Sequence, residues 1–180
     1  MRFKYTVKND FIEEALSYAK KSRAFTSNRH DFHPGGLDNK QQKMFEGKLG
    51  EKAFKMFLID NDFSFTEDSS PADERDEYDF LLHKNGLNKL LIDVKTRTKQ
   101  FHIRTLEMVE QFKNHPKNLY ISARLYEGTH IVDLLGWYTA EDMVNKGKIE
   151  NNGYLDNYVM YDNDLRPMES FIQYYSDYKL

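Results

Sequence analysis

A chain of 180 residues with 39% apolar and 14% aromatic residues is long enough to bury a full single-domain core. It contains no cysteine, which excludes disulfide bonds and cysteine-ligated zinc and fits a reducing compartment. No apolar run approaches the length of a membrane span and the N-terminus lacks the apolar core of a signal peptide, so we expect a cytoplasmic protein with no membrane partner.

The net charge of −3 hides an uneven distribution along the chain. Residues 1–60 carry 12 basic and 8 acidic residues, and residues 84–124 carry 9 and 3. Residues 61–83 and 125–180 are acidic instead. A basic region on an acidic body is compatible with nucleic-acid binding, although such runs can also be plain solvated faces.

Two helices are predicted in the first third of the chain. Residues 10–25 have an amphipathic pattern, and residues 27–36 read as a connecting loop. Residues 40–60 form the second predicted helix. Its apolar arc consists of Phe45, Leu49, Ala53, Met56 and Phe57, and its solvent side of Lys48, Lys52 and Lys55.

The second helix also contains two glycines and two inward acids. Gly47 and Gly50 each cost roughly 1 kcal/mol relative to alanine in a helix, so we expect another element to approach closely there. Glu46 and Glu51 lie on rows shared with apolar residues. Because a buried carboxylate needs a partner, each belongs either to a functional site or to an ion pair with a lysine at the rim.

A β-hairpin is predicted next. Residues 78–83 and 90–95 alternate apolar with other side chains, and Asn85-Gly86 between them marks the turn. If both strands bury their more apolar row on one side, Phe80 must pair with Ile92. A two-residue turn would shift this register by one, so we expect a three-residue loop or a bulge.

This register gathers three charged side chains. Asp79 would face Asp93 directly, and Lys95 would lie one cross-strand step away on the same face. Two facing carboxylates repel each other, so a positive group is expected between them. A hard divalent cation such as Mg²⁺ prefers such oxygen ligands and would polarise a phosphoryl group. The alternative is an ordinary hairpin with a surface salt bridge.

Basic and hydroxyl side chains follow the second hairpin strand. Arg97 and Lys99 are suited to phosphate oxygens. Lys48 on the second helix and Arg29 in the loop before it are further candidate nucleic-acid contacts. Each of these residues could equally be an ordinary solvated charge.

The rest of the chain predicts further layers around a sheet. A helix is expected from about Ile103 to Asn114, followed by strands at 119–125 and 130–137. Beyond Thr139 we expect a short helix, an Asn-Gly turn at 152–153, a tyrosine-rich strand and a final helix near 168–175.

These motifs together resemble the PD-(D/E)XK nuclease superfamily, which includes restriction endonucleases and Holliday-junction resolvases. The matching features are the Gly-x-x-Gly-Glu sequence ending at Glu51, Asp79 on the first hairpin strand, and Asp93 and Lys95 in an Asp-x-Lys sequence on the second. Tyr78 stands where the family has its proline. The resemblance covers about residues 44 to 125.

The resemblance implies a fold and a site. The fold is α/β, a mixed central β-sheet flanked by helices in a restriction endonuclease-like αβββαβ order. Glu51, Asp79 and Asp93 would hold Mg²⁺ or Mn²⁺, and Lys95 would serve the attacking water. Glu46 is the alternative helix acid. Gln111 matches a polar position that lines the site in the family, or is simply solvated.

We therefore expect one domain containing a metal-dependent nuclease, with DNA as its substrate. Residues 1–40 would form an N-terminal helix and loop, 41–138 the catalytic core and 139–180 C-terminal additions. A homodimer or a heteromeric partner stays open. Two alternatives are a non-catalytic nucleic-acid-binding or partner subunit with the same fold, and a nuclease for branched DNA or RNA.

Overall fold

The fold is an α/β arrangement of two β-sheets and five helices, seen in a computed structural model that describes residues 3–26, 36–68, 78–84, 88–151 and 155–177. The strands are β1 Phe3–Thr6, β2 Phe65–Glu67, β3 Phe80–Lys84, β4 Asn88–Arg97, β5 Arg104–Met108, β6 Leu119–Leu125, β7 Ile131–Thr139, β8 Lys148–Asn151 and β9 Asp156–Tyr161. The helices are α1 Asn9–Thr26, α2 Gly36–Asp60, α3 Val109–Asn114, α4 Ala140–Lys146 and α5 Met168–Asp177. None of these helices, within the described ranges, is long and apolar enough to cross a membrane.

The larger sheet has six strands in the order β1-β7-β6-β4-β3-β2. Its central pair, β4 and β6, is parallel, and the other neighbours are antiparallel. A parallel pair needs a crossover connection, which β5 and α3 provide. The predicted mixed sheet flanked by helices and the predicted αβββαβ order are confirmed. Strand β5 is inserted before the second helix of that order, α3.

Two hydrophobic clusters cover the two faces of this sheet. On one face, α2 and α5 bring Phe54, Phe57 and Phe171 into a cluster of rings against Ile92 and Val94 of β4. On the other face lies a second sheet with the order β5-β9-β8. Its cluster consists of Phe112, Tyr120, Tyr138, Met143 and Met160. The central strand β4 is therefore covered on both sides, and its polar residues must find partners inside the protein.

The register of the hairpin is the predicted one. Phe80 pairs with Ile92, and the ladder continues to Lys84 and Asn88. Three residues, 85–87, therefore separate the strands, and their conformation lies outside the described residues. The Asn-Gly turn at 152–153 also lies outside them.

The predicted helix from Ile103 to Asn114 is partly wrong. Its first half is strand β5, and only Val109–Asn114 is helical. Along β5, Thr105 and Glu107 are buried and Leu106 is partly exposed, which is the alternation of a strand. The reason is pairing with β9, which lies about fifty residues further along the chain and is not visible in a local pattern.

The solvent side assigned to α2 is also wrong. Lys52 is only 7% exposed, because its ammonium lies 2.5 Å from Glu14 and 2.7 Å from Glu67. Lys48 is enclosed as well, against Glu51. Acids from α1, α2 and β2 meet these lysines, so the positive row of the helix faces other elements of the fold.

Candidate active site

Helix α2 reaches the central sheet through Gly50. A Cβ atom at this position would lie 1.9 Å from Oγ1 of Thr96 on β4, so any side chain would push the helix away. The Thr96 hydroxyl also donates a hydrogen bond of 3.3 Å to the carbonyl of Gly47. The close approach predicted from the glycines is therefore present at Gly50, whereas nothing lies within 4 Å of a Cβ at Gly47. The next residue, Glu51, is 8% exposed and lies close enough to Asp79 to act on its carboxyl electrostatically.

Asp79 lies directly before β3, where the pairing with β4 is irregular. Its backbone amide donates to the carbonyl of Ile92 at 2.9 Å, although Phe80 is the ladder partner of Ile92. The chain is thus offset by one residue, and Asp79 does not pair with Asp93 in the ladder as predicted. Its carboxylate Oδ2 turns inward and accepts a hydrogen bond of 2.6 Å from the amide of Val94. An offset of this kind re-aims a side chain.

The acids nevertheless come together electrostatically at Asp79. Burial raises the pKa of the Asp79 carboxyl well above its ordinary value, and the negative charges of Glu51 and Asp93 raise it further. Lys48 and the hydrogen bond from Val94 act in the opposite direction without cancelling the shift. Three predicted acids from three elements therefore share one electrostatic environment, in which positive charge is in deficit.

Lys95 lies between two carboxylates. Its Nζ is 2.8 Å from Oδ2 of Asp93 and 2.7 Å from Oε2 of Glu107. Burial alone would lower the pKa of Lys95, but the two carboxylates outweigh it and the net shift is upward. The predicted neighbours Asp93 and Lys95 are thus in contact, and a fourth acid joins them.

The sequence-based prediction misses Glu107 because it assigns the segment of β5 to a helix. Glu107 is 3% exposed, and burial raises its pKa, against the lowering effect of Lys95. The signal that could have found it is the period-two alternation of Thr105 and Glu107 with Leu106 and Met108. A buried acid on a strand needs a charged partner, and Lys95 is that partner.

Two tyrosines form the wall beside Lys95. Tyr120 pairs with Asp93 across β4 and β6, and its ring stacks on that of Tyr138 at a centroid distance of 5.2 Å. Burial raises the pKa of both hydroxyls. The Tyr120 hydroxyl accepts a hydrogen bond of 3.1 Å from the amide of Lys117. Neither ring was assigned to the site from the sequence.

Lys48 belongs to this acid cluster as well. Its Nζ is 2.7 Å from Oε2 of Glu51 and 4.2 Å from the centre of the Tyr18 ring. Burial alone would lower the pKa of Lys48, but Glu51 and Asp79 outweigh it and the net shift is upward. Lys48 therefore neutralises Glu51 inside the protein. This matches the alternative stated from the sequence, in which Glu51 forms an ion pair with a lysine.

The alternative helix acid, Glu46, and the polar candidate Gln111 lie apart from these contacts. Glu46 accepts a hydrogen bond of 3.0 Å from the amide group of Gln42 on the exposed side of α2. Gln111 lies on α3, where its carbonyl accepts from the amide of His115. In the described parts of the chain, no hydrogen bond or ion pair joins either side chain to Asp79 or Asp93.

Two further candidate nucleic-acid contacts, Arg97 and Lys99, form ion pairs with acids. The Arg97 guanidinium binds both oxygens of Asp162 at 2.6 and 2.5 Å. Lys99 makes an exposed ion pair of 2.6 Å with Glu127. Arg29 lies outside the described residues.

The donor set at Asp79, Asp93 and Glu51 consists of carboxylate oxygens, which suit a hard divalent cation. Across the described ranges, however, no three acidic or histidine side chains lie close enough together to form a ready metal cluster. In the structure, Lys48 pairs with Glu51 and Lys95 pairs with Asp93. A cation would therefore have to compete with these two ammonium groups.

Two solved structures are similar to this chain. One is a Holliday junction resolvase from the archaeal hyperthermophile Archaeoglobus fulgidus, with a TM-score of 0.42 and 11% identity over 70% of this chain and 99% of that one. The other is a nuclease from a fusselovirus, with a TM-score of 0.42 and 14% identity over 82% of this chain and 97% of that one. Neither a family model nor a curated protein matches the sequence.

Proposed function

We propose that this protein is a divalent-metal-dependent nuclease, specifically an endonuclease that hydrolyses phosphodiester bonds in DNA. The observation that supports this most is the environment of Asp79. A partly buried carboxylate with a raised pKa lies among the charges of Glu51 and Asp93, and Asp93 in turn pairs with the ammonium of Lys95. An enclosed group of like charges with perturbed pKa values is typical of functional sites.

Asp79 and Asp93 would hold the metal ion, with Glu51 as a third ligand once Lys48 releases it. Magnesium or manganese, when bound, supplies positive charge that stabilises the phosphoryl group and activates a water molecule. The hydrogen bond from the Val94 amide fixes one oxygen of Asp79 and leaves the other carboxylate oxygen for the ion.

Lys95 would act on the reacting phosphate or on the attacking water. Its ammonium contacts Asp93, one of the proposed metal ligands, and Glu107 binds the same ammonium. A positioned ammonium next to the scissile phosphate stabilises the negative charge that develops in the transition state. Glu107 would then be a positioning residue that keeps Lys95 in place.

The test is cleavage of supercoiled plasmid by the purified protein with Mg²⁺ or Mn²⁺, and with EDTA. We expect nicking with either metal and none with EDTA. Asp93→Asn should abolish nicking while its thermal unfolding stays cooperative, and Asp164→Asn, an exposed acid outside the site, should cut like the wild type. Undiminished cutting by Asp93→Asn would overturn the assignment.

One observation favours a second candidate, a non-catalytic nucleic-acid-binding or partner subunit. Lys48 and Lys95 neutralise two of the acids internally, which a protein without a metal could use for stability alone. Calorimetric titration of Mn²⁺ into the wild type and into Asp79→Asn separates the two. A nuclease should bind the metal and lose that binding in the variant, whereas the second candidate should show no binding in either.

DNA is proposed as substrate because basic residues concentrate at 1–60 and 84–124, the segments that carry Glu51, Asp93 and Lys95. A panel of linear, nicked, branched and single-stranded DNA, with matched RNA, distinguishes the substrates. Faster cleavage of RNA than of every DNA would replace DNA as the substrate.

A further inference from the structure

Two arginines lie side by side just beyond the candidate catalytic lysine. Arg97 on β4 and Arg124 on β6 are partners in the parallel ladder, and Lys95 and Ser122 form the pair two residues earlier. Because alternate residues of a strand share a face, both arginines lie on the face of Asp93 and Lys95. The step from Lys95 to Arg97 along the strand is about 6.6 Å.

One carboxylate serves both guanidinium groups. Nη2 of Arg97 lies 2.6 and 2.5 Å from the two oxygens of Asp162, and Nη2 of Arg124 lies 3.6 Å from one of them. Asp162 begins a short 3-10 turn that follows β9, and its side chain is 27% exposed against 8% for Arg97. It therefore covers Arg97 from the solvent side.

This arrangement leaves donors and charge uncompensated. Nε and Nη1 of Arg97 and Nε of Arg124 are buried, and none has a hydrogen-bond acceptor among the described residues. Two positive charges thus face one negative charge. Buried donors without acceptors are rare in native proteins and call for an explanation. A tetrahedral anion with more oxygens and more charge would satisfy this pair better than a single carboxylate.

We propose that Arg97 and Arg124 form a subsite for a backbone phosphate of the nucleic acid, and that Asp162 occupies it in the free protein. The phosphate is one that flanks the scissile bond, because the subsite lies on the same face as Lys95 and one pleat away. Asp162 swings out when the substrate binds and so acts as a displaceable substitute for the phosphate. This inference rests on the proposed function for its substrate, but its test measures binding and not cleavage.

The experiment compares the affinity of a fluorescein-labelled DNA duplex for five proteins, by anisotropy in Ca²⁺ buffer at fixed ionic strength. The proteins are the wild type and the variants Arg97→Gln, Arg124→Gln, Asp162→Asn and Asp164→Asn. Asp164 is the matched control, because it lies on the same turn, is exposed and loses the same charge. Without its competitor, the subsite should bind DNA about tenfold more tightly in Asp162→Asn, the change that one charge-assisted contact produces.

Asp164→Asn should change the affinity less than twofold, and each arginine variant should weaken it about tenfold. Adding Arg97→Gln to Asp162→Asn should remove the gain. Equal gains in the two aspartate variants would show a general charge effect and overturn the subsite. The subsite would also be overturned if the double variant with Arg97→Gln kept the gain in DNA affinity of Asp162→Asn.

A second measurement covers the case in which Arg97→Gln does not fold. The thermal midpoint of each protein is measured in inorganic phosphate and in chloride of the same ionic strength. Phosphate should raise the midpoint of Asp162→Asn, and it should raise the midpoints of Asp164→Asn and the wild type less. An equal response in all three proteins would mean that the Asp162 ion pair is purely structural.

The subsite and the nuclease proposal can fail separately. If no protein cuts DNA but Asp162→Asn binds it more tightly than Asp164→Asn, the subsite stands and the nuclease falls. If Asp93→Asn abolishes cutting while the two turn variants bind alike, the nuclease stands and the subsite falls.

Discussion

Glu107 holds the ammonium of Lys95 at 2.7 Å, and Asp93 contacts the same ammonium at 2.8 Å. Glu107 and Lys95 come from neighbouring segments of the chain but from different sheets, so their contact joins the small sheet to the central strand. The orientation of Lys95 therefore depends on the packing of β5 as well as on its own strand.

Glu107→Gln should lower kcat for DNA cleavage by about 10–100-fold with little change in KM, since a misplaced catalytic group costs rate and not substrate affinity. Steady-state kinetics with Mg²⁺ on a short duplex give both constants. Glu110→Gln, an exposed acid at the start of α3, is the control and should behave like the wild type. A fall in kcat that merely follows a fall in Tm would assign Glu107 to stability alone.

Asp79→Asn should make the metal-free protein more stable at neutral pH. The pKa of Asp79 is raised in the folded state, so its contribution is complete below the unfolded-state value and is lost as the pH rises through the folded-state value. Each tenfold difference between the folded and unfolded acid dissociation constants corresponds to about 1.4 kcal/mol. Urea unfolding in EDTA from pH 4 to 8 should show this loss in the wild type but not in the variant.

The same titration with Mg²⁺ in place of EDTA tests the link to metal. Positive charge next to Asp79 should restore the stability of the wild type at pH 8 and leave Asp79→Asn unchanged. Asp164→Asn should keep the wild-type pH dependence under both conditions. A stability difference between Asp79→Asn and the wild type in EDTA that does not grow toward pH 8 would contradict the sign of the shift.

Gly50→Ala and Gly47→Ala should change stability in opposite directions. A Cβ at residue 50 meets Thr96 Oγ1 at 1.9 Å, so this change should cost about 1–3 kcal/mol, as overpacking does. Nothing lies within 4 Å of a Cβ at residue 47, so that change should add about 1 kcal/mol through helix propensity. Chemical denaturation of both variants measures the difference, and equal effects would mean that α2 does not press on β4.

Tyr138→Phe and Tyr120→Phe form a second matched pair. The Tyr138 hydroxyl is buried without a hydrogen-bond partner in the described structure, so its removal should leave the free energy of unfolding unchanged or raise it. The Tyr120 hydroxyl accepts from the Lys117 amide, so its removal should cost about 1 kcal/mol. A larger loss for Tyr138→Phe would reveal a partner for that hydroxyl.

The elements whose burial pattern is local could be predicted from the sequence alone. Helix α2 and the register of Phe80 with Ile92 both follow from periodic apolar residues, because a one-residue slip would turn an entire apolar row to water. The same alternation placed Asp93 and Lys95 on one face of β4. The roles proposed for these charged residues stay predictions.

The partners of the charged residues depend on which remote segments the fold brings together. Glu107 reached Lys95 because β5 pairs with β9, and Arg97 is capped by Asp162, which lies 65 residues away in the chain. Asp79 turned toward Val94 through an offset at the strand end that apolar alternation does not encode. Electrostatic partners depend on distances in space between remote segments, and a periodic pattern specifies only which side of its own element a residue occupies.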